Sequence, residues 1–184
     1  MRQAEPSLDA LAQRIRASDR AAFAEAFRHL KEPLVRYIQR ITQDVPTAYD
    51  VLQDVFTKLW EGREKLAEDT TLKALLYTMA RNRAFNMGRY TARISRVDVA
   101  EAQDRYATAP PADEAVEAKH LERLIHRWID ELPPRRAEAF MLSRYHGLKY
   151  SDISTIMGLS ERTVQTHVLH AMRDLRARLQ TLQR

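Results

Sequence analysis

The stretch YSDISTIMGLSERTVQTHVLHAMRDLRARLQTL, residues 150–182, decides how the carboxy-terminal part of the chain folds. With Gly158 at a turn, Ile153 and Met157 precede it, Leu159 falls in it and Val164 follows it, which are the apolar positions a tight two-helix corner buries. In the second helix Ser160 is placed to cap the first amides. Val164, Val168, Met172, Leu175, Leu179 and Leu182 then recur as one inward stripe. At about a hundred degrees per residue, the opposite arc holds Arg162, Thr166, Leu169, His170 and Arg173, with Gln165 at its edge.

That arc has the chemistry of a duplex reader. Gln165 can pair with an adenine edge, Thr166 and His170 can donate or accept, and Leu169 can cover a thymine methyl. With Thr163 of the first turn, the candidate duplex-binding set is Arg162, Thr163, Gln165, Thr166, Leu169, His170 and Arg173. A corner that docks on protein, or a plain amphipathic helix, is the alternative reading of the same stretch.

Upstream of the corner, 135–146 reads as a helix with Pro134 in its first turn and Gly147 after its end. A further helix over 117–130 precedes the break at Leu132, Pro133 and Pro134. Residues 97–118 carry six acids against Arg105 alone, with Pro110 and Pro111 in an alanine-rich stretch, the composition of a linker. Such an acidic segment is repelled by DNA and suits either a basic channel in a partner protein or a plain tether.

Residues 73–96 reverse the sign: Lys73, Arg81, Arg83, Arg89, Arg93 and Arg96 stand there without one acid. Tyr77, Phe85 and Tyr90 interleave with these charges and Asn82 and Asn86 add amides, which together supply charge, stacking and hydrogen bonds for unpaired bases. The competing reading makes the aromatics core and the arginines a solvated face. The charged stretch 61–71, with Gly62, reads as an exposed loop before a helix that starts at about Leu72.

Residues 47–60 form a helix capped by Thr47, with a wide apolar face of Val51, Leu52, Val55, Phe56, Leu59 and Trp60, and with Asp50, Gln53 and Asp54 opposite. Three shorter helices are expected before it, at 8–17, 21–28 and 32–41, with Phe23, Phe27, Leu34, Tyr37, Ile38 and Ile41 inward and Pro33 in an early turn.

Composition narrows the classes. The 184 residues, 45% of them hydrophobic, suffice for two small domains, and 30 basic against 25 acidic side chains leave a charge of +5 that is compatible with an acidic partner without demanding one. With no cysteine there is no disulfide framework, thiolate metal site or cysteine nucleophile, which fits a reducing cytoplasm. No apolar run approaches membrane-spanning length, so no membrane insertion is expected. Phosphate loop, nucleophile elbow and metal-ligand cluster are all missing, so neither catalysis, cofactor nor metal is expected. The fold class is all-α, with a domain at 1–96, a linker at 97–118 and a second domain at 119–184.

The runs AYDVLQDVFTKLW, LKALLYTMARNRAFNMGRY, ELPPRRAEAF and YHGLKYSDISTIMGLSERTVQTHVLHAMRDLRARL, in this order, resemble conserved regions two and four of the extracytoplasmic-function sigma factors of bacterial RNA polymerase. The resemblance spans about residues 21–179. It implies a promoter-specificity subunit that leaves the phosphoryl transfer to the polymerase. Asp50, Gln53, Asp54 and Phe56 would meet the clamp helices of the largest core subunit, and the flap of the second subunit would be a further core contact. The loop at 61–71 and the helix carrying Lys73, Tyr77, Arg81, Asn82, Arg83, Phe85, Asn86 and Arg89 would hold the melted minus-ten element, with Asn82 on the family's asparagine. The second helix of the corner would read the minus-thirty-five duplex, the acidic linker would run toward the RNA exit path, and an anti-sigma protein is a candidate partner.

Asn86 stands where the family commonly has aspartate, Leu75 where it commonly has tryptophan, and residues 47–49 lack the usual acid before Asp50. Gln165, His167 and His170 replace positions that are often lysine or arginine, which weakens phosphate attraction and makes it depend on histidine protonation. The rival class is a helix-turn-helix regulator that acts without docking on core polymerase.

Overall fold

The computed structural model describes residues 8–67, 70–94 and 113–182, with side chains described except at 88–94 and 113–120. The helices are α1 (Leu8–Arg16), α2 (Arg20–Thr42), α3 (Val45–Glu61), α4 (Leu72–Ile94), α5 (Asp113–Asp130), α6 (Pro134–Arg144), α7 (Tyr150–Met157) and α8 (Glu161–Leu182). Among the described residues there is no strand, as the 3.6-residue spacing predicts. The chain divides into two compact units, Met1–Asp98 and Val99–Arg184.

In the first unit α2 packs on α1, α3 and α4, and here the sequence expectation needs correction. The two helices expected at 21–28 and 32–41 are one, with Pro33 in its interior. Proline has no N–H for the carbonyl four residues earlier, a cost of about 3 kcal/mol in a helix interior. Ala26 and Leu30 before it and Leu34, Val35 and Ile38 after it are all buried. A large side chain gains about 1.5–3 kcal/mol from full burial, so keeping that face continuous outweighs the proline. Asp19 starts the helix, its carboxylate accepting from the amides of Ala21 at 2.8 Å and Ala22 at 3.1 Å. Gln43 ends it in the left-handed region at φ 56°, its N–H on the Gln39 carbonyl.

The cap of α3 is also not the expected one. Asp44 caps it, accepting from the Thr47 amide at 2.8 Å, so Thr47 is the recipient and the helix begins two residues early with Pro46 in its first turn. The Thr47 hydroxyl and amide hold the Asp44 carboxyl below its usual range. The segment expected as a plain loop at 61–71 contains a short 3-10 turn, Arg63–Lys65, directly after Gly62 closes α3. On α4, the buried residues Leu72, Leu76, Tyr77, Ala80 and Ala84 recur at helical spacing and face α2 and α3.

In the second unit the core joins α5, α6 and α8 through Ile129, Leu132, Phe140, Met141, Ala171 and Leu175, with Ile125, Trp128, Ala137 and Met172 packed against them. Leu132 sits in the break between α5 and α6 yet is only 5% exposed, so the break is anchored rather than free. Helix α5 begins at Asp113, inside the segment expected to be linker; the remainder of that segment, 97–112, lies outside the described residues, as do Arg93's side chain and Arg96. The inward stripe of α8 also ends early. Val164, Val168 and Leu175 are buried and Leu179 half-buried, but Leu182 is exposed because α8 runs past the core its neighbours enclose.

Candidate nucleic-acid and partner-protein surfaces

Asp50 and Gln53 are exposed on α3. They stand on the rim of an open groove of about 640 Å³ between α2 and α3, whose floor is Phe23, Phe27, Phe56 and Trp60. Phe56, expected among the docking residues, is only 3% exposed, and its ring meets Phe23 at 5.8 Å and Phe27 at 4.9 Å in edge-on contacts. It shapes the floor from within the core and is not a free contact residue. Asp54, on the same expected face, is engaged inside the unit. One of its carboxylate oxygens accepts from both Nε of Arg83 at 2.7 Å and Nη2 at 2.6 Å, which ties α3 to α4.

This pairing also changes the reading of Arg83, expected to bind DNA, because its guanidinium turns toward α3. Tyr77 changes more. It is fully buried, its ring 5.1 Å from that of Tyr37, and burial pushes its phenol far up. A base cannot stack on it; the charges around it in sequence belong to other faces of the helix. Lys73 and Arg81 are half-buried, and the Arg89 side chain lies outside the described residues.

What α4 does present outward is Asn82, Phe85 and Asn86, adjacent positions three and four apart and all exposed. Phe85 is 40% exposed and the Arg81 guanidinium lies 4.7 Å from its ring centroid. A flat aromatic already flanked by a cation, next to two amides, offers a base both a stacking surface and hydrogen-bond partners.

The corner of the second unit forms as its sequence demands. Gly158 ends α7 at φ 64°, a conformation other side chains resist, and the Ser160 hydroxyl accepts from the Thr163 amide at 3.1 Å to begin α8. The Thr163 hydroxyl is 2.8 Å from that of Ser160, so it belongs to the cap and is not the free contact expected of it. Arg162, Gln165, Thr166, Leu169 and Arg173 are exposed and His170 half-exposed. Thr166 donates its hydroxyl proton to the Arg162 carbonyl at 2.9 Å, which leaves an acceptor and a methyl facing outward. Leu169, at 54% exposure, borders a depression of about 300 Å³ with Met172, Arg173, Arg176 and Gln180.

Behind this arc, α6 supplies a charge pattern not read from the sequence. Arg136 pairs with Asp174 at 2.5 Å, and its neighbour Arg135 is exposed. His167 lies half-buried on α8, and burial first, then Arg136, Arg135 and His170, hold its pKa below the ordinary value. The unfolded chain therefore binds a proton that the folded chain refuses. Stability is complete above the unfolded value and is lost as pH falls through the lowered folded one. Thermal melts of wild type and His167→Gln are expected to separate between about pH 7 and about pH 5, the wild type losing more. Curves that stay parallel would remove His167 from this balance.

No helix among the described residues is long and apolar enough to cross a membrane. Residues 26–94 match the family model described as Sigma-70 region 2, and residues 122–175 the one described as Sigma-70, region 4. The chain is 31% identical over 151 residues to the ECF RNA polymerase sigma factor SigL of Mycobacterium tuberculosis, covering 81% of this chain and 84% of the relative. It is 27% identical over 177 residues to SigK of the same species, also described as an ECF RNA polymerase sigma factor, covering 92% and 91%. To the RNA polymerase sigma-H factor of Pseudomonas aeruginosa it is 27% identical over 184 residues, covering 95% and 94%. Two solved structures share its fold. CnrH in complex with the cytosolic domain of CnrY has a TM-score of 0.66 at 18% identity, over 96% of this chain and 99% of that one. The sigma factor RpoE in complex with the anti-sigma factor NepR from Bartonella quintana has a TM-score of 0.66 at 20% identity, over 86% and 96%.

Proposed function

Since the chain belongs to the ECF RNA polymerase sigma factors, we propose that its two helical units divide the work of an alternative sigma factor between them. It binds core RNA polymerase and directs promoter recognition and transcription initiation. The first unit docks through the α3 rim at Asp50 and Gln53, and captures the opened minus-ten strand on the α4 face of Asn82, Phe85 and Asn86. The second reads the minus-thirty-five duplex with the outward arc of α8. Chemistry stays with the polymerase, and the setting is the bacterial cytoplasm. An anti-sigma protein that covers either unit would hold the factor inactive.

One observation carries the duplex assignment: a large apolar side chain, Leu169, stands exposed amid Gln165, Thr166 and Arg173, on the side opposite the buried Val164 and Val168. Folding gives no reason for that placement, whereas a groove lined by thymine methyls and base edges does. Leu169→Ala or Thr166→Ala is expected to cost about 1–3 kcal/mol at particular base pairs and so relax sequence preference. Arg173→Ala is expected to weaken all sequences alike and to lower the salt dependence. Binding of holoenzyme to a randomised upstream element measures both. Wild-type sequence profiles for the first two variants would turn α8 away from the groove.

A further inference from the structure

Arg63 opens the 3-10 turn after α3, and its guanidinium is used on every side. Its plane lies over the Trp60 ring at 4.5 Å, Nη1 donates to the Trp60 carbonyl at 2.7 Å, and Nη2 lies 3.6 Å from Glu64. Nε donates to the Ser18 hydroxyl at 2.9 Å, across 45 positions of sequence. The side chain is only 22% exposed. Ser18 stands in the corner between α1 and α2 at φ 64°, a left-handed conformation that a serine adopts at a cost. The corner is fixed on both sides, by the Asp19 cap of α2 and by the Arg14–Asp19 ion pair at 2.8 Å. The strained backbone thus holds an acceptor where Arg63 can reach it.

We propose that Arg63 is a positioning residue for minus-ten recognition: it fixes the turn Arg63–Lys65 against the α1–α2 corner, so that the amino-terminal helix takes part in base selection through this contact. The inference rests on the reading of 61–71 as part of the site for the opened strand. Arg63 stacks toward Trp60 and bonds inward, so it acts through the loop. A turn held by two directed contacts to Trp60 of α3 and one to the α1–α2 corner presents its backbone in one place, and base discrimination needs placement within a fraction of an ångström.

The test uses the full chain with core polymerase and a template pre-melted across a randomised minus-ten element, so that opening is not scored. Arg63→Ala is expected to keep core affinity within about twofold while flattening base preference about tenfold, the scale of one lost hydrogen bond to a charged group. Ser18→Gly relieves the left-handed strain but removes the acceptor; it is expected to melt no lower than wild type and still to flatten preference. Ser18→Asn tolerates the same backbone and restores an acceptor, and is expected to keep the wild-type preference. The double variant Arg63→Ala with Ser18→Gly should be no worse than Arg63→Ala alone, because both remove one shared contact. Wild-type preference in Ser18→Gly, or effects of the two substitutions that add, would overturn the proposal. A wild-type holoenzyme with no base preference on this template would overturn the loop's assignment itself, and the proposal with it.

Discussion

Reversing the charge of Asp50 is expected to weaken binding to core RNA polymerase by about 2 kcal/mol or more, roughly thirtyfold, with the melting temperature nearly unchanged. Asp50 is exposed on the rim of the α2–α3 groove and no ion pair within the described residues uses it, so its carboxylate is open to a partner. An opposite charge at that place meets like charge across the interface and leaves it without compensation. Gln53→Ala is expected to act in the same direction with a smaller effect. Asp54 serves as the internal comparison, since its carboxylate is already held by Arg83 and its reversal disturbs α4 as well. Competition binding with labelled core separates these outcomes: unchanged affinity for Asp50→Arg would remove the α3 rim from the docking surface.

The second large effect is expected at Asn82. Asn82→Ala should leave core affinity and closed-complex formation intact and sharply reduce open complex, because the contacts proposed for it form only after a base has left the stack. Unpairing and unstacking a base costs a few kcal/mol, and capture of the opened strand offsets it. The side chain is exposed on α4 between Thr78 and Phe85, away from the buried stripe of Leu76, Tyr77, Ala80 and Ala84, so the substitution removes no packing. A template pre-melted across the minus-ten element already bears the opening cost and should recover much of the activity, with weaker sequence preference remaining. Permanganate footprinting on duplex and pre-melted templates distinguishes the two, and normal duplex opening by the variant would take Asn82 out of the site.

The parts of the molecule written in local pattern were legible. The corner of α7 and α8 follows from Gly158, Ser160 and a period of three and four, and each of those signals is satisfied by contacts within a few residues. The exposed arc on α8 comes from the same arithmetic, whereas Asn82 and Asn86 on α4 stand out by their amides in an acid-free basic stretch and, for Asn82, by the resemblance. What escaped depends on partners far away in the chain. Pro33 reads as a helix start until α3 and α4 supply a continuous face for α2 to cover. Thr47 and Asp44 are both good caps, and only the path of the chain into α3 chooses Asp44. Tyr77 reads as a contact residue because it is interleaved with charges, and Phe56, on the apolar face of its helix, is assigned to docking by the resemblance alone. Their helical angles put them inward, where aromatic partners on α2 receive them. The pairs Arg83–Asp54 and Arg63–Ser18 join positions 29 and 45 residues apart, and no periodicity announces them.

The central claim is that this chain selects promoters as a subunit of the polymerase rather than as a free DNA-binding protein. Capturing the full-length protein with and without core RNA polymerase, and sequencing the DNA bound in each case, tests it directly. DNA is expected to be bound only with core, enriched in paired upstream and minus-ten elements, with Asp50→Arg sharply reducing the enrichment. Recovery of the same sequences by the protein alone, independent of core and of Asp50, would contradict it and make the chain a helix-turn-helix regulator.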